Sequence, residues 1–107
     1  MAKNYMDEKM EYLFKGILTL NTVEECRAFF EDICTVKELS EMSRRLTAAK
    51  MLDENKIYTE IAEETGLSTA TISRVNRCLN YGGGYRAALD NLKKAGILED
   101  DESDLEE

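Results

Sequence analysis

EIAEETGLSTATISRVNRCL, residues 60–79, decides the fold. It opens as an amphipathic helix, is interrupted at Gly66, and resumes a helical pattern within a few residues. The apolar points are Ile61, Ala62, Leu67, Ile72 and Val75. Gly66 falls where the first helix must end, the position that calls for a left-handed backbone and where glycine carries no steric cost. Small Ala62 suits the crossing point of two helices, Leu67 fits the angle between them, and Ser68 is a ready N-cap for the second. Apolar, small, glycine and polar demands in that order over about twenty residues define a helix-turn-helix, here spanning about 57–79.

The second of these helices has two unlike sides. At about 100° per residue, Ile72, Val75 and Leu79 face one way and seat the helix. Opposite lie Ala70, Ser73, Arg74 and Arg77, with Thr69 at the flank. Small residues in a first turn let the backbone approach base edges, and arginines farther along reach a base or a phosphate. The alternative is a solvated face that happens to be basic. DNA contact is favoured because five of the six acids in residues 44–94 precede Thr65 and none lies on this face. Thr59, Ser68, Thr69, Ala70, Thr71, Ser73, Arg74 and Arg77 are the expected DNA-binding set.

Outward from this unit the pattern stays helical, with no proline in 107 residues. Met6, Met10, Leu13, Phe14, Ile17 and Leu18 form one stripe; Cys26, Phe29, Phe30 and Ile33 form a second. Thr22 with Glu25, and Thr35 with Glu38, read as capping boxes. The second box opens a long helix with Leu39, Met42, Leu46, Ala49 and Leu52 inward, ended by a polar turn at 53–56. Gly82-Gly83-Gly84 either form an anion-binding nest or a turn before a last helix over about 85–95. The fold class expected is all-α, six helices, as one domain over 1–98 followed by an acidic disordered tail, 99–107. Aromatic and methionine side chains crowd the first 55 residues more than one small domain can cover, so an intertwined homodimer is expected.

Composition excludes much else. Histidine is absent, which removes the commonest general base and metal ligand. Cys26, Cys34 and Cys78 lack metal-ligand spacing and are expected to be buried free thiols. Neither a Walker loop nor a GxSxG or HExxH motif occurs, so no enzyme, cofactor or metal is expected. A Mg²⁺-dependent nuclease would need a convergent acidic set beside the basic helix, and the pattern offers none. No apolar run approaches the ~18 residues that span a bilayer, and the expected location is cytoplasmic, away from membranes. The net charge of −8 is concentrated: residues 99–107 hold seven acids, leaving 14 bases and 15 acids elsewhere. Within 65–98, Arg74, Arg77, Arg86, Lys93 and Lys94 face only Asp90. The sign of a local patch governs contact more than total charge, since salt screens beyond roughly 8 Å.

IAEETGLSTATISRVNRCLNYGGGY, with the helical plan around it, resembles the tryptophan repressor family and within it the YerC/YecD branch. The resemblance is strongest from about Cys34 to Leu79. It implies an interlocked homodimer displaying two reading heads, and transcriptional control through double-stranded DNA. It also implies an effector pocket, with Arg45 and Arg74 at the positions of the two arginines that hold the co-repressor ring, and Thr35 at a matching threonine. The family has glycine where this chain has Val75, so a valine side chain fills space that an indole would need. An effector other than tryptophan, or none, is expected. The alternative function is a protein-interaction module that uses the helical scaffold and the acidic tail without sequence-specific DNA binding.

Overall fold

The computed structural model describes residues 7–99, so Tyr5, Met6 and all of the expected acidic tail but Glu99 lie outside the described residues. Six helices follow in order: α1 (Glu8–Ile17), α2 (Val23–Ile33), α3 (Val36–Asp53), α4 (Tyr58–Thr65), α5 (Thr69–Tyr81) and α6 (Gly84–Lys94). Among the described residues there is no strand. The chain divides into two compact units, residues 1–39 and 40–107.

In the first unit the helix starts are set by side chains. Asp7 accepts the Met10 N–H, and Thr22 Oγ1 accepts the Glu25 N–H. The Glu25 carboxylate accepts the Asn21 N–H at 2.8 Å, one residue earlier than a reciprocal capping box would place it. Thr35 and Glu38 make the full box: each backbone N–H donates to the other's side-chain oxygen. Caps of this kind are worth about 1 kcal/mol each. Packing is a different matter. Neither α1 nor α2 has a buried residue, although Phe29 and Phe30 meet edge to face at 5.3 Å. Tyr12, Leu18 and Val36 are more than 80 % exposed. Tyr12, Leu13, Gly16, Phe29 and Ile33 line an open apolar groove of about 680 Å³.

The second unit holds a closed core of Ala48, Ala49, Met51, Ile61, Leu67, Ile72, Val75, Leu79 and Leu89. Inward residues on α3 are Ala48, Ala49 and Met51. Met42 and Leu46, expected inward, are 38 % exposed, because α4 to α6 close only over the C-terminal part of α3. Asp53 is the last residue of α3 rather than part of a free turn. Its carboxylate accepts from Arg86 at 2.9 Å and Lys93 at 3.0 Å, which fastens α6 to the end of α3. Burial pushes the Asp53 carboxyl up; the hydrogen bonds and charges of Arg86 and Lys93 outweigh it, so the group titrates below the usual carboxylate range. The same pairing raises Arg86.

Candidate nucleic-acid interface

The turn between α4 and α5 is closed by its own polar groups. Gly66 ends α4 at φ +74°, and its N–H donates to Ala62 O at 2.8 Å. Thr65 is 6 % exposed; its hydroxyl donates to Ile61 O at 2.7 Å and accepts from the Leu67 N–H at 3.2 Å. Arg44 of α3 donates to Thr65 O, setting a cation at the negative end of the α4 dipole. Leu67 is buried in the elbow. Ser68 then caps α5, its hydroxyl accepting from the Thr71 N–H and donating to Thr71 Oγ1, both at 3.1 Å. Every part of the expected turn is present, and the angle between the two helices is fixed by buried hydrogen bonds rather than by the glycine alone.

α5 is anchored through Ile72, Val75 and Leu79, each less than 5 % exposed. Thr69, Ala70, Ser73, Arg74 and Arg77 are all exposed, on the face opposite. α5 contains no acid, and among the described residues neither arginine is in an ion pair. Thr59 is exposed near the start of α4. Ser68 and Thr71 are different: their hydroxyls are engaged with each other, and that of Ser68 also accepts the Thr71 N–H, so they hold the helix start. The local basic surplus is smaller than residue counts suggest, because Arg86 and Lys93 are engaged by Asp53. The pattern could not show this, since Asp53 lies 33 and 40 residues away from its partners.

A cleft of about 160 Å³ opens beside this helix, lined by Glu41, Arg45, Thr71, Arg74, Val75, Cys78 and Tyr85. It brings together three of the four residues expected in an effector pocket, Arg45, Arg74 and Val75. Thr35 belongs to the first unit, where its structural work is capping α3. Glu41, Cys78 and Tyr85 were missed, although Glu41 stands one helical turn before Arg45, a spacing that puts both on one face. With Val75 only 2 % exposed, the cleft falls well short of the roughly 300 Å³ at which ligand pockets begin.

One expectation is corrected. The thiols are not buried: Cys26 and Cys78 are exposed and Cys34 is half-buried, because Cys26 lies on a helix without a core and Cys78 on the cleft side of α5. Of the two readings open for the three glycines, the turn leading into α6 holds and the anion nest does not, since none has positive φ. Gly82 instead closes α5 at short range. A Cβ there would stand 2.9 Å from Cys78 O, so the helix end needs glycine for space.

Comparison with known proteins agrees with this geometry. The family described as Trp repressor protein matches residues 8–93. The uncharacterized protein YerC of Bacillus subtilis (strain 168) is 50 % identical over 88 residues, covering 81 % of this chain and 85 % of that one. The crystal structure of a TrpR-like protein from Eubacterium eligens ATCC 27750 superposes with a TM-score of 0.80 at 47 % identity, covering 91 % of this chain and 99 % of the other. A solved structure from Staphylococcus aureus gives a TM-score of 0.80 at 43 % identity, covering 87 % and 95 %.

Proposed function

The chain belongs to the Trp repressor protein family, and from that premise we propose that it is a sequence-specific DNA-binding transcriptional regulator, a repressor that reads a near-palindromic operator as a homodimer. Its role is regulatory rather than catalytic. The observation that carries this is the acid-free outer face of α5, where Arg74 and Arg77 stand exposed on a helix locked in place from behind. Thr69, Ala70 and Ser73 are small enough to let that helix enter a major groove, Thr59 offers a phosphate contact from α4, and Ser68 and Thr71 hold the helix start that approaches the DNA. Dimerisation is supported by the first unit, whose α1 and α2 have no fully buried residue among those described. A two-fold dimer reading one operator needs its two reading helices about 34 Å apart, one helical turn of DNA. No helix among the described residues is long and apolar enough to cross a membrane, and a reader of operators works in the cytoplasm.

Binding of duplexes by fluorescence anisotropy tests the reading. If Arg74 or Arg77 makes a bidentate contact to guanine, alanine there weakens the preferred site by roughly 1–3 kcal/mol and relaxes base preference at one position. A uniform loss across all sequences would assign that arginine to phosphate instead. Equal affinity of the wild type and the double Arg74→Ala/Arg77→Ala variant would remove the interface altogether.

The cleft lined by Arg45, Arg74 and Val75 is the proposed effector position, and the effector is not tryptophan. Val75 occupies the space an indole would need, and the remaining volume holds about five waters at ~30 Å³ each. Calorimetry with L-tryptophan is expected to give no saturable heat; micromolar binding would contradict the assignment. Thr35→Ser keeps the hydroxyl that caps α3, so altered effector binding in that variant would bring Thr35 into the pocket and unchanged binding would leave it a cap.

A further inference from the structure

Four of the nine lysines and arginines of the second unit are paired with carboxylates. Arg44, Lys50, Arg86 and Lys93 each lie within 4.0 Å of a carboxylate. Arg74 and Arg77, like Arg45, Lys56 and Lys94, do not, among the described residues, in a chain of net charge −8, and they stand together on the acid-free face of α5. Seven of the 22 acids occupy residues 99–107. The structure also shows where that run of charge begins. After α6 the chain reverses at Gly96, φ +78°, and the N–H groups of Ile97 and Leu98 both donate to Leu92 O. This lays Leu98 against the core of the second unit. The acidic segment therefore starts from a fixed point beside α6, and α6 packs on α5.

We propose that the acidic segment 99–107 docks on the basic face of α5, at Arg74 and Arg77, and competes there with DNA phosphates. This inference rests on the DNA-reading function assigned to the same face. Reach permits it: nine extended residues span about 30 Å, comparable with the diameter of a compact unit of roughly 60 residues. A tether this short gives an effective concentration on the order of mM, enough to half-occupy a weak electrostatic site. The face is then free for only a fraction of the time, and the apparent dissociation constant for DNA rises by the inverse of that fraction. The carboxylates act as a phosphate mimic built into the chain, setting a threshold that weak, non-specific DNA fails to cross and an operator passes.

The test compares the full chain with the full-length variant Asp100→Asn/Asp101→Asn/Glu102→Gln/Asp104→Asn, and with a chain ending at Leu98 as a second way of removing the charge. Without DNA, ¹⁵N spectra follow the arginine Nε–H signals of Arg74 and Arg77 and the α5 amides. With a duplex of about 20 base pairs, anisotropy follows affinity. The expected result is that these signals shift on neutralisation, and that affinity rises about threefold to tenfold at ~50 mM salt, the gain shrinking as salt increases. A synthetic peptide of residues 99–107 at millimolar concentration should return both readouts toward wild type. Unmoved arginine signals with unchanged affinity would overturn the proposal. Tighter binding with unmoved signals would overturn it too, leaving only long-range repulsion between the segment and DNA. Shifted signals in a protein that binds no duplex in any form would keep the contact and sink the DNA-reading function.

Discussion

The first and second units of this chain carry equally clear helix signals and differ in what the helices find to pack against. α1 and α2 are capped by Asp7 and Thr22, α3 by Thr35 and Glu38 and α5 by Ser68, all through side-chain acceptors at about 3 Å. Yet every residue of the buried core belongs to the second unit, and α1 and α2 contribute none. A cap satisfies orphan backbone groups and fixes where a helix starts. It supplies no apolar burial, which stabilises a fold more, at ~25 cal/mol per Å². The helix-turn-helix is therefore complete within one chain, while the apolar faces of α1 and α2 find no closed core within their own unit.

The sharpest way to break this contrast is to charge the exposed apolar residues of the first unit. In a monomer, Leu18→Glu/Val36→Glu would be close to neutral, since both side chains are over 80 % exposed and surface changes stay within about ±0.5 kcal/mol. In a dimer built on these faces, each change buries a charge, and association should weaken at least ~100-fold. Sedimentation equilibrium reads the difference as a halved mass. Next in size, Ile72→Ala should lower stability by about 2–5 kcal/mol in urea unfolding, because Ile72 is fully buried. The equivalent truncation Leu13→Ala, measured at concentrations low enough to dissociate a dimer, should cost under about 1 kcal/mol.

Asp53 sharpens the account of the second unit from a polar direction. Asp53→Asn should lower stability by about 1–3 kcal/mol, since two charged hydrogen-bond donors on α6 lose their carboxylate. The pH dependence has a definite sign. A carboxyl held lower in the folded than in the unfolded state stabilises fully above its unfolded value, near 3.9, and that share is lost as pH falls through the lowered folded value. Urea midpoints of wild type and Asp53→Asn should thus converge in acid and separate above about pH 5. A smaller effect than at Asp53 is expected at Gly66. Gly66→Ala meets only Arg44 Nη1, at 3.5 Å, so the backbone at φ +74° sets the loss at about 1 kcal/mol.

The elements most legible in the sequence were those whose cause is local. Gly66, Ser68 and the 3–4 spacing of Ile72, Val75 and Leu79 each act within one helical turn, and all stand where the pattern placed them. The exposed set Thr69, Ala70, Ser73, Arg74 and Arg77 follows from the same spacing, because seating one side of a helix dictates the other. What escaped depends on chain segments far apart. Asp53 read as part of a polar turn, since nothing near it hints at Arg86 or Lys93. Met42 and Leu46 have the period of core residues and remain half-open, because periodicity reports that a face is apolar and not what covers it. Cys26 and Cys78 misled for the same reason: a small apolar residue type predicts burial only on a face that a core covers, and Cys78 stands on the cleft side of α5.

The measurement that bears most directly on the central claim is selection of sites from a random duplex library by the purified, ligand-free protein, with the Arg74→Ala/Arg77→Ala variant run in parallel. The expected result is enrichment of a two-fold symmetric site with half-sites one helical turn apart, about 10 base pairs, and its loss in the variant. Recovery of the same sequences by both proteins, or of no sequence by the wild type, would contradict a dimeric reader built on the outer face of α5.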